Sequence, residues 1–222
     1  EQPTHPELLD WMALNFIDNG WSIKKLHKTI MMSATWQRNS QYKQSKFEVD
    51  GDNKLLWRFQ PKKLEVESWR DSLLSVTDEL DLKFGGAPDG EIINSKRRTI
   101  YATISRTGDK FKSDNFLRLF DFPAAVSTSP KRASSTVPQQ YLFMLNSNFM
   151  NQRAQALGRS LFESKDKRND IIKDVYQKLY SRAPETREIE LAYKWLGDNP
   201  NVESWNLYAQ VLLSAHEMIQ LR

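Results

Sequence analysis

"LEVESWRDSLLSV", Leu64 to Val76, is the stretch that decides the fold of this chain. Its large apolar side chains recur at the spacing of three and four residues that is typical of one face of an α-helix. Pro61 precedes the stretch and Gly85-Gly86 follows it, and both bound the helical pattern. The pattern predicts an amphipathic helix with an inner face made of Leu64, Val66, Trp69, Leu73, Leu74 and Val76.

The same spacing recurs on both sides of this stretch. Upstream, Thr4 as N-cap and Gly20 as a stop predict a first helix, and Ser22 caps a second helix that forms a hairpin with it. Downstream, Pro138 in a first turn predicts one helix to about Phe162, and three more amphipathic stretches follow. The predicted inner face of the helix at 138–162 comprises Tyr141, Leu142, Leu145 and Phe149.

One segment shows the period of two that is typical of a strand. It reads "RRTIYATISR", and its hydroxyl and aromatic positions alternate with Ile100, Ala102 and Ile104. The sequence therefore predicts a mainly α, multi-helix domain with a small β element near residues 97–106. It predicts a single domain over residues 1–222 and leaves open a subdivision near residues 123–137.

Composition excludes several classes of protein. The 32 Lys and Arg against 28 Asp and Glu give a net charge of +4 that is interspersed along the chain, so we expect no nucleic-acid partner. Without cysteine the chain offers no disulfide, thiolate metal site or c-type haem attachment. His5, His27 and His216 show no metal-ligand spacing, so we expect no metal or cofactor in this chain. No apolar run approaches the roughly 20 residues that span a bilayer.

The helix at 64–76 carries the first candidate chemistry. Glu67, Arg70 and Asp71 stand at i, i+3 and i+4 and share one face. Carboxylates in this arrangement can act as general acid and base, or they can form structural salt bridges. An arginine between two carboxylates keeps both ionised, so the structural network is the preferred interpretation. The catalytic candidates are Glu67, Asp71 and Asp121.

Basic side chains supply the second candidate, an anion site. Arg98 heads the predicted strand and Arg132 lies in the loop before Pro138, and arginine forks suit planar oxyanions. The alternative for Arg132 is an ion pair with Asp71 or Asp121 that pins the loop, and this alternative is preferred.

Two amides lie on or beside the predicted inner face of the helix at 138–162. Gln140 and Asn146 must find hydrogen-bond partners if they are buried, since an unmade bond costs about 1–3 kcal/mol. We expect them to hold neighbouring backbone, with ligand contact as the lesser alternative. The predicted ligand-binding set is Arg98, Arg132, Arg70, Gln140 and Asn146.

Five motifs resemble, in order, a family of bacterial domains. They are "PTHPELLDW", "LEVESWRDSLL", "RRTIYATI", "FDFP" and "TVPQQYLFMLNSNFMNQRA". Together they resemble the planctomycete PSD-type domain of unknown function, which is found downstream of a cytochrome-c-like domain and a companion domain. Tyr141 stands where that family usually has a small residue, and a cysteine often found before the arginine pair is absent. These departures argue against a role that needs a thiol.

The resemblance implies a context and no established activity. It implies an exported protein, periplasmic or at the cell surface, in bacteria that degrade polysaccharides, and a chain that lacks the family's N-terminal segment. The preferred hypothesis is an accessory or docking module of a multidomain protein that contains cytochrome c and is linked to polysaccharide processing. The partners would be the cytochrome-like and companion domains of the same polypeptide, with haem c held in another domain.

Two alternatives remain at this point. The first is a hydrolase or other enzyme that acts on an anionic carbohydrate. The second is a carbohydrate-binding module with polysaccharide as partner, prompted by seven Trp. It ranks last because Trp11, Trp21, Trp57 and Trp69 occupy spacings that predict internal side chains.

Overall fold

The computed structural model describes residues 2–107, 110–126 and 128–221. This part of the chain is mainly α-helical, which confirms the predicted fold class. Its α-helices are α1 Pro6–Asp18, α2 Ile23–Met31, α3 Gln44–Phe47, α4 Val66–Val76, α5 Lys112–Leu119, α6 Pro138–Asn146, α7 Asn148–Glu163, α8 Arg168–Tyr180, α9 Thr186–Leu196 and α10 Val202–Leu213. Strands β1 Lys62–Lys63 and β2 Gln220–Leu221 pair as a two-stranded sheet.

The described residues divide into two compact units. The first unit runs to Lys62, includes Leu221 and holds α1 to α3, and the second runs from Lys63 to Gln220 and holds α4 to α10. The division falls between Lys62 and Lys63. The subdivision near residues 123–137 stays a prediction, and residue 127 of that stretch lies outside the described residues. The single domain over residues 1–222 stays a prediction.

In the first unit, α1 and α2 form the predicted hairpin. Ser22 caps α2 as predicted, and its hydroxyl accepts a hydrogen bond from the Lys25 amide at 3.4 Å. Thr4 does not cap α1, because His5 occupies the N-cap position and offers no side-chain bond. Trp11 and Trp21 were predicted to be internal, but their side chains are 51% and 67% exposed. No residue among those described in this unit is fully buried.

The core of the second unit is built around α4. Val66, Trp69, Leu73 and Leu74 are buried, which confirms most of the predicted inner face. The Trp69 ring packs on Phe120 with 4.5 Å between centroids, and further phenylalanines of α5, α6 and α7 extend this aromatic cluster. The core thus fixes α4, and with it the polar side chains that α4 carries on its other faces.

The predicted helix at 138–162 is two helices. Ser147 has extended backbone, and its hydroxyl accepts a hydrogen bond from the Met150 amide at 3.2 Å, so this serine ends α6 and caps α7. The predicted inner face is wrong for α6, where Leu142 and Leu145 are exposed while Gln140 and Met144 are buried. A local cap therefore overrode the continuous apolar pattern.

The predicted strand near residues 97–106 is a short 3-10 turn over Thr99–Tyr101. Among the described residues, the β-bridges that flank it are isolated ones, Asp81 to Arg97 and Asp89 to Ala102. Side chains of α4 bond the backbone of this segment, so it turns toward α4 and does not extend beside a neighbouring strand.

Candidate functional site

Arg70 is the buried centre of the polar side chains on α4. Its side chain is fully buried, and Nη1 donates to the Arg97 carbonyl at 2.9 Å and to the Thr99 hydroxyl at 3.1 Å. Nη2 donates to the carbonyls of Ile92 and Ser95. Burial lowers the pKa of Arg70 to about 10, so the guanidinium remains charged at neutral pH. Arg70 thus fastens the segment 92–99 to α4 and is closed to an external anion.

Asp71 also binds the segment 92–99, at the edge of the core. Its Oδ1 accepts hydrogen bonds from the Thr99 amide at 2.8 Å and the Thr99 hydroxyl at 2.6 Å, and it lies 3.6 Å from Arg70 Nη1. Arg98 reaches Asp71 Oδ2 only at 3.7 Å through Nε, and its side chain is largely exposed. Asp71 is therefore engaged on the oxygen that faces the core.

Glu67 and Arg132 form a closed pair. Nη1 and Nη2 of Arg132 each donate to one carboxylate oxygen of Glu67 at 2.8 Å, and a carboxylate oxygen of Glu65 lies 3.2 Å from Nη1. These hydrogen bonds raise the pKa of Arg132 above its ordinary value. Arg132 is thus a clamp, as preferred from the sequence, but its partners are Glu67 and Glu65 where Asp71 or Asp121 had been expected.

A second polar group, here called the Lys63 cluster, comprises Lys63, Asp121, Ser135 and Gln140. Lys63 Nζ donates to Asp121 Oδ2 at 3.1 Å, to the Ser135 carbonyl at 2.6 Å and to Gln140 Oε1 at 2.8 Å. The Gln140 amide donates to the Leu119 carbonyl at 2.9 Å. All three ammonium hydrogens thus have acceptors, and Gln140 holds neighbouring backbone as predicted.

Asp121 binds the loop that precedes α6. Its carboxylate accepts hydrogen bonds from the Ser135 hydroxyl at 2.5 Å and the Ser135 amide at 2.9 Å. Burial alone would raise the pKa of this carboxyl, but the bonds from Ser135 and Lys63 outweigh it and lower the pKa below its ordinary value. Its backbone lies in the left-handed region at φ 66°, which aspartate and asparagine tolerate better than most residues.

Two cavities of the second unit adjoin these groups. A cleft of about 510 Å³ lies over α4 and is lined by Glu67, Asp71 and Arg98. A smaller cavity of about 170 Å³ is lined by Lys63, Gln140 and His216. The catalytic candidates are therefore divided, since Glu67 and Asp71 line the first cleft while Asp121 belongs to the Lys63 cluster. Asn146 joins neither group, because it is exposed and its amide donates to Leu142 of its own helix at 3.1 Å.

Replacing Asp121 with asparagine is expected to make the free energy of unfolding depend less on pH in the acidic range. Because the folded-state pKa is below the unfolded value, Asp121 stabilises the fold above pH of about 4, and this contribution disappears as pH falls through the folded pKa. Asn tolerates the same φ, so the change tests charge and hydrogen bonding. We expect a loss of about 1–3 kcal/mol at pH 7 and a much smaller difference at pH 3, measured by urea unfolding.

The matched control is Asp78→Asn. Asp78 also has positive φ, at 57°, but its pair with Lys178 is exposed to solvent. The control is expected to change stability by less than about 1 kcal/mol at both pH values. Equal pH profiles for both variants would contradict the role of Asp121.

Sequence reasoning missed two arginine networks. Arg182 pairs with Glu188 and Glu217, each at 2.8 Å through two oxygens, and it lowers the pKa of Glu188. Arg153 of α7 pairs with Glu79 at 2.6 Å and is buried. The only local signal was the capping box at the start of α9, where Glu188 accepts a bond from the Glu185 amide at 2.7 Å.

The structure thus defines a mainly helical protein in which the polar side chains on α4 and around Lys63 fasten loops. The chain belongs to the family PSD1, protein of unknown function (DUF1553), whose model matches residues 1–196, up to the end of α9. No curated protein and no solved structure matches the chain. The described helices include none long and apolar enough to cross a membrane, and no group of three or more His, Cys, Asp or Glu in that same part of the chain could hold a metal ion.

Proposed function

We propose that this chain is a non-catalytic accessory module that docks against another domain of its parent polypeptide, a c-type cytochrome domain. Its setting would be an exported protein, periplasmic or at the cell surface, linked to polysaccharide processing. The setting and the partner come from the resemblance of the five motifs. The docking role is supported by the apolar side chains that α1 and the following turn expose.

The observation that carries the proposal is this surface, here called the α1 apolar surface. It consists of Leu8, Leu9, Trp11, Leu14 and Ile17, each about half exposed. Trp21 and Ile23, just beyond the helix, are exposed as well. Trp11 and Leu14 are three residues apart and share one face of α1. Exposed apolar side chains that neighbour one another in this way are typical of protein interaction sites, where buried aromatic anchors dominate the free energy of binding.

The state of the carboxylates favours docking over catalysis. Glu67 is held by both nitrogens of Arg132, and Asp121 is held by Lys63 and Ser135. A general acid needs a raised pKa near the working pH, whereas the pKa of Asp121 is lowered. An enzyme acting on anionic carbohydrate would first have to break these pairs, so it is the weaker hypothesis.

The docking proposal predicts the effect of adding charge to the α1 apolar surface. The double variant Trp11→Glu, Leu14→Glu is expected to bind the separately produced, haem-loaded cytochrome domain of the parent protein at least about tenfold more weakly, measured by calorimetry. Each acid would have to be desolvated in the interface, and losing one anchor typically costs more than about 1 kcal/mol. The wild-type chain should also shift the reduction potential or the unfolding midpoint of that domain.

The control is Leu191→Glu on α9. Leu191 is 56% exposed, close to the 62% of Leu14, and it lies in the second unit. This variant is expected to bind within about twofold of wild type. The proposal fails if wild type neither binds the cytochrome domain nor changes its potential or stability, or if both variants weaken binding equally.

A further inference from the structure

A basic cleft in the first unit shares no lining residue with the α1 apolar surface. It has a volume of about 410 Å³ and is formed by the chain around residues 34–46 together with Trp57. The lining residues that matter here are Arg38, Asn39, Gln41, Lys43, Lys46 and Trp57. With Gln37, the lining combines three cations with three amides and one indole, and it includes no acidic side chain among the residues that the structure describes.

The charge of this basic cleft is not neutralised locally. Within the described part of the chain, none of its three cations forms an ion pair. The acids next along the chain are engaged elsewhere, since Glu48 accepts a bond from Gln44 at 2.9 Å and Asp50 accepts from the amides of Lys54 and Leu55. A cleft lined by one sign of charge focuses the potential and attracts counter-ions.

The sequence around the cleft extends this positive potential. Residues 19–47 contain six basic side chains and no Asp or Glu, a block that the interspersed charge of the whole chain conceals. The six are Lys24, Lys25, Lys28, Arg38, Lys43 and Lys46. Three of them belong to α2 and three line the cleft, so the effect of removing cleft charge can be compared with the effect of removing the same charge from α2.

The chemistry of the lining selects among anions. Lysine and arginine bind sulfate and carboxylate oxygens, with the arginine fork suited to two oxygens at once. An amide such as that of Gln41 carries both a donor and an acceptor, which matches a hydroxyl group that does the same. Trp57 is held by Arg58 over its ring at 4.9 Å and by its indole bond to the Asp50 carbonyl at 2.8 Å, so it forms a fixed wall.

We propose that the basic cleft binds an acidic oligosaccharide, a polyhydroxylated chain bearing sulfate or carboxylate groups. Its charged groups pair with Arg38, Lys43 and Lys46, and its hydroxyls bond Asn39 and Gln41. Single-stranded nucleic acid fits less well, because its binding relies on successive stacking aromatics and the lining holds one indole. The site is independent of the docking role and of the α4 carboxylates.

The test uses the whole chain and three hexasaccharides, one sulfated (from carrageenan), one carboxylated (oligogalacturonate) and one neutral (maltohexaose). At low ionic strength, calorimetry should show binding of at least one acidic hexasaccharide with Kd below about 1 mM and none of maltohexaose. The variant Arg38→Gln, Lys43→Gln, Lys46→Gln should bind at least about tenfold more weakly, because each lost pair costs up to about fivefold. Its unfolding midpoint should match wild type.

The matched control is Lys24→Gln, Lys25→Gln, Lys28→Gln on α2, which removes the same charge outside the cleft. It should bind within about threefold of wild type. Equal weakening by both triple variants would show diffuse attraction and overturn the site. The proposal would also be overturned if the chain bound neither of the two acidic hexasaccharides. Tighter binding of a single-stranded DNA oligonucleotide through the same three residues would overturn it as well. None of these outcomes bears on binding to the cytochrome domain.

Discussion

Replacing Arg70 with alanine is expected to lower the free energy of unfolding by about 3–5 kcal/mol, the range for breaking a buried charged network by removing one partner. The guanidinium satisfies the carbonyls of Ile92, Ser95 and Arg97 and the hydroxyl of Thr99. Alanine would remove a donor from each of these acceptors, of which the Ile92 carbonyl keeps a backbone bond from Ser95, at 3.1 Å. It would also leave a cavity in place of a fully buried side chain. Urea unfolding at pH 7 measures the loss.

Two further variants complete the test: Arg70→Lys separates the planar guanidinium geometry from the charge, and Arg98→Ala is the control. Arg70→Lys keeps the charge but cannot reach four acceptors in a planar arrangement, so it should recover only part of the loss. Arg98→Ala removes a neighbouring arginine that is 54% exposed and reaches Asp71 only at 3.7 Å, and it should cost less than about 0.5 kcal/mol. The fastening role of Arg70 would be contradicted if Arg70→Ala were as mild as Arg98→Ala.

Replacing Gly158 with alanine is expected to destabilise the second unit, although alanine is normally the better helix former by about 1 kcal/mol. Gly158 lies on α7 in close contact with Asn206 of α10. A Cβ at this position would sit 2.6 Å from both the Cα and the amide nitrogen of Asn206, and against its side-chain oxygen. Because two of these atoms are backbone, α10 must shift away from α7, and we expect a net loss of about 2–3 kcal/mol.

The same substitution at Gly51 is the control. A Cβ there meets its nearest neighbours, atoms of Phe47, at 3.5–3.6 Å, which is ordinary van der Waals contact, and the backbone φ is not positive. Gly51→Ala should therefore change the free energy of unfolding by less than about 1 kcal/mol in the same urea experiment. A Gly158→Ala variant as stable as wild type would show that α7 and α10 are not in close contact at this point.

The helices were largely predictable because their causes are local. The spacing of Val66, Trp69 and Leu73 determines which face of α4 is buried, and Pro138 marks the start of α6. The prediction of one helix over residues 138–162 failed because a local side-chain bond to the backbone competed with the continuous helix. The hydroxyl of Ser147 accepts from the Met150 amide, and this cap divides a stretch whose apolar pattern is continuous.

The polar groups were predictable only as residue types. Glu67, Asp71, Arg132 and Gln140 were identified from the sequence, and each has a polar partner in the structure. Their partners could not be read from spacing, because Arg132 lies 65 residues from Glu67 and Lys63 lies 58 residues from Asp121. The exposure of Trp11 and Trp21 was also missed, since helical spacing reports which side chains share a face and not whether anything covers that face.

The sequence by itself determined a mainly helical chain, its membership of one family and the charged and amide side chains worth testing. Only the tertiary structure decided what those side chains do. Helix formation depends on neighbours within about four residues, whereas an ion pair depends on which distant segments the core brings together. The segment 97–106 shows the difference. Its alternating pattern is typical of a strand, but in the structure Arg70 and Asp71 bind its backbone and it forms a turn against α4.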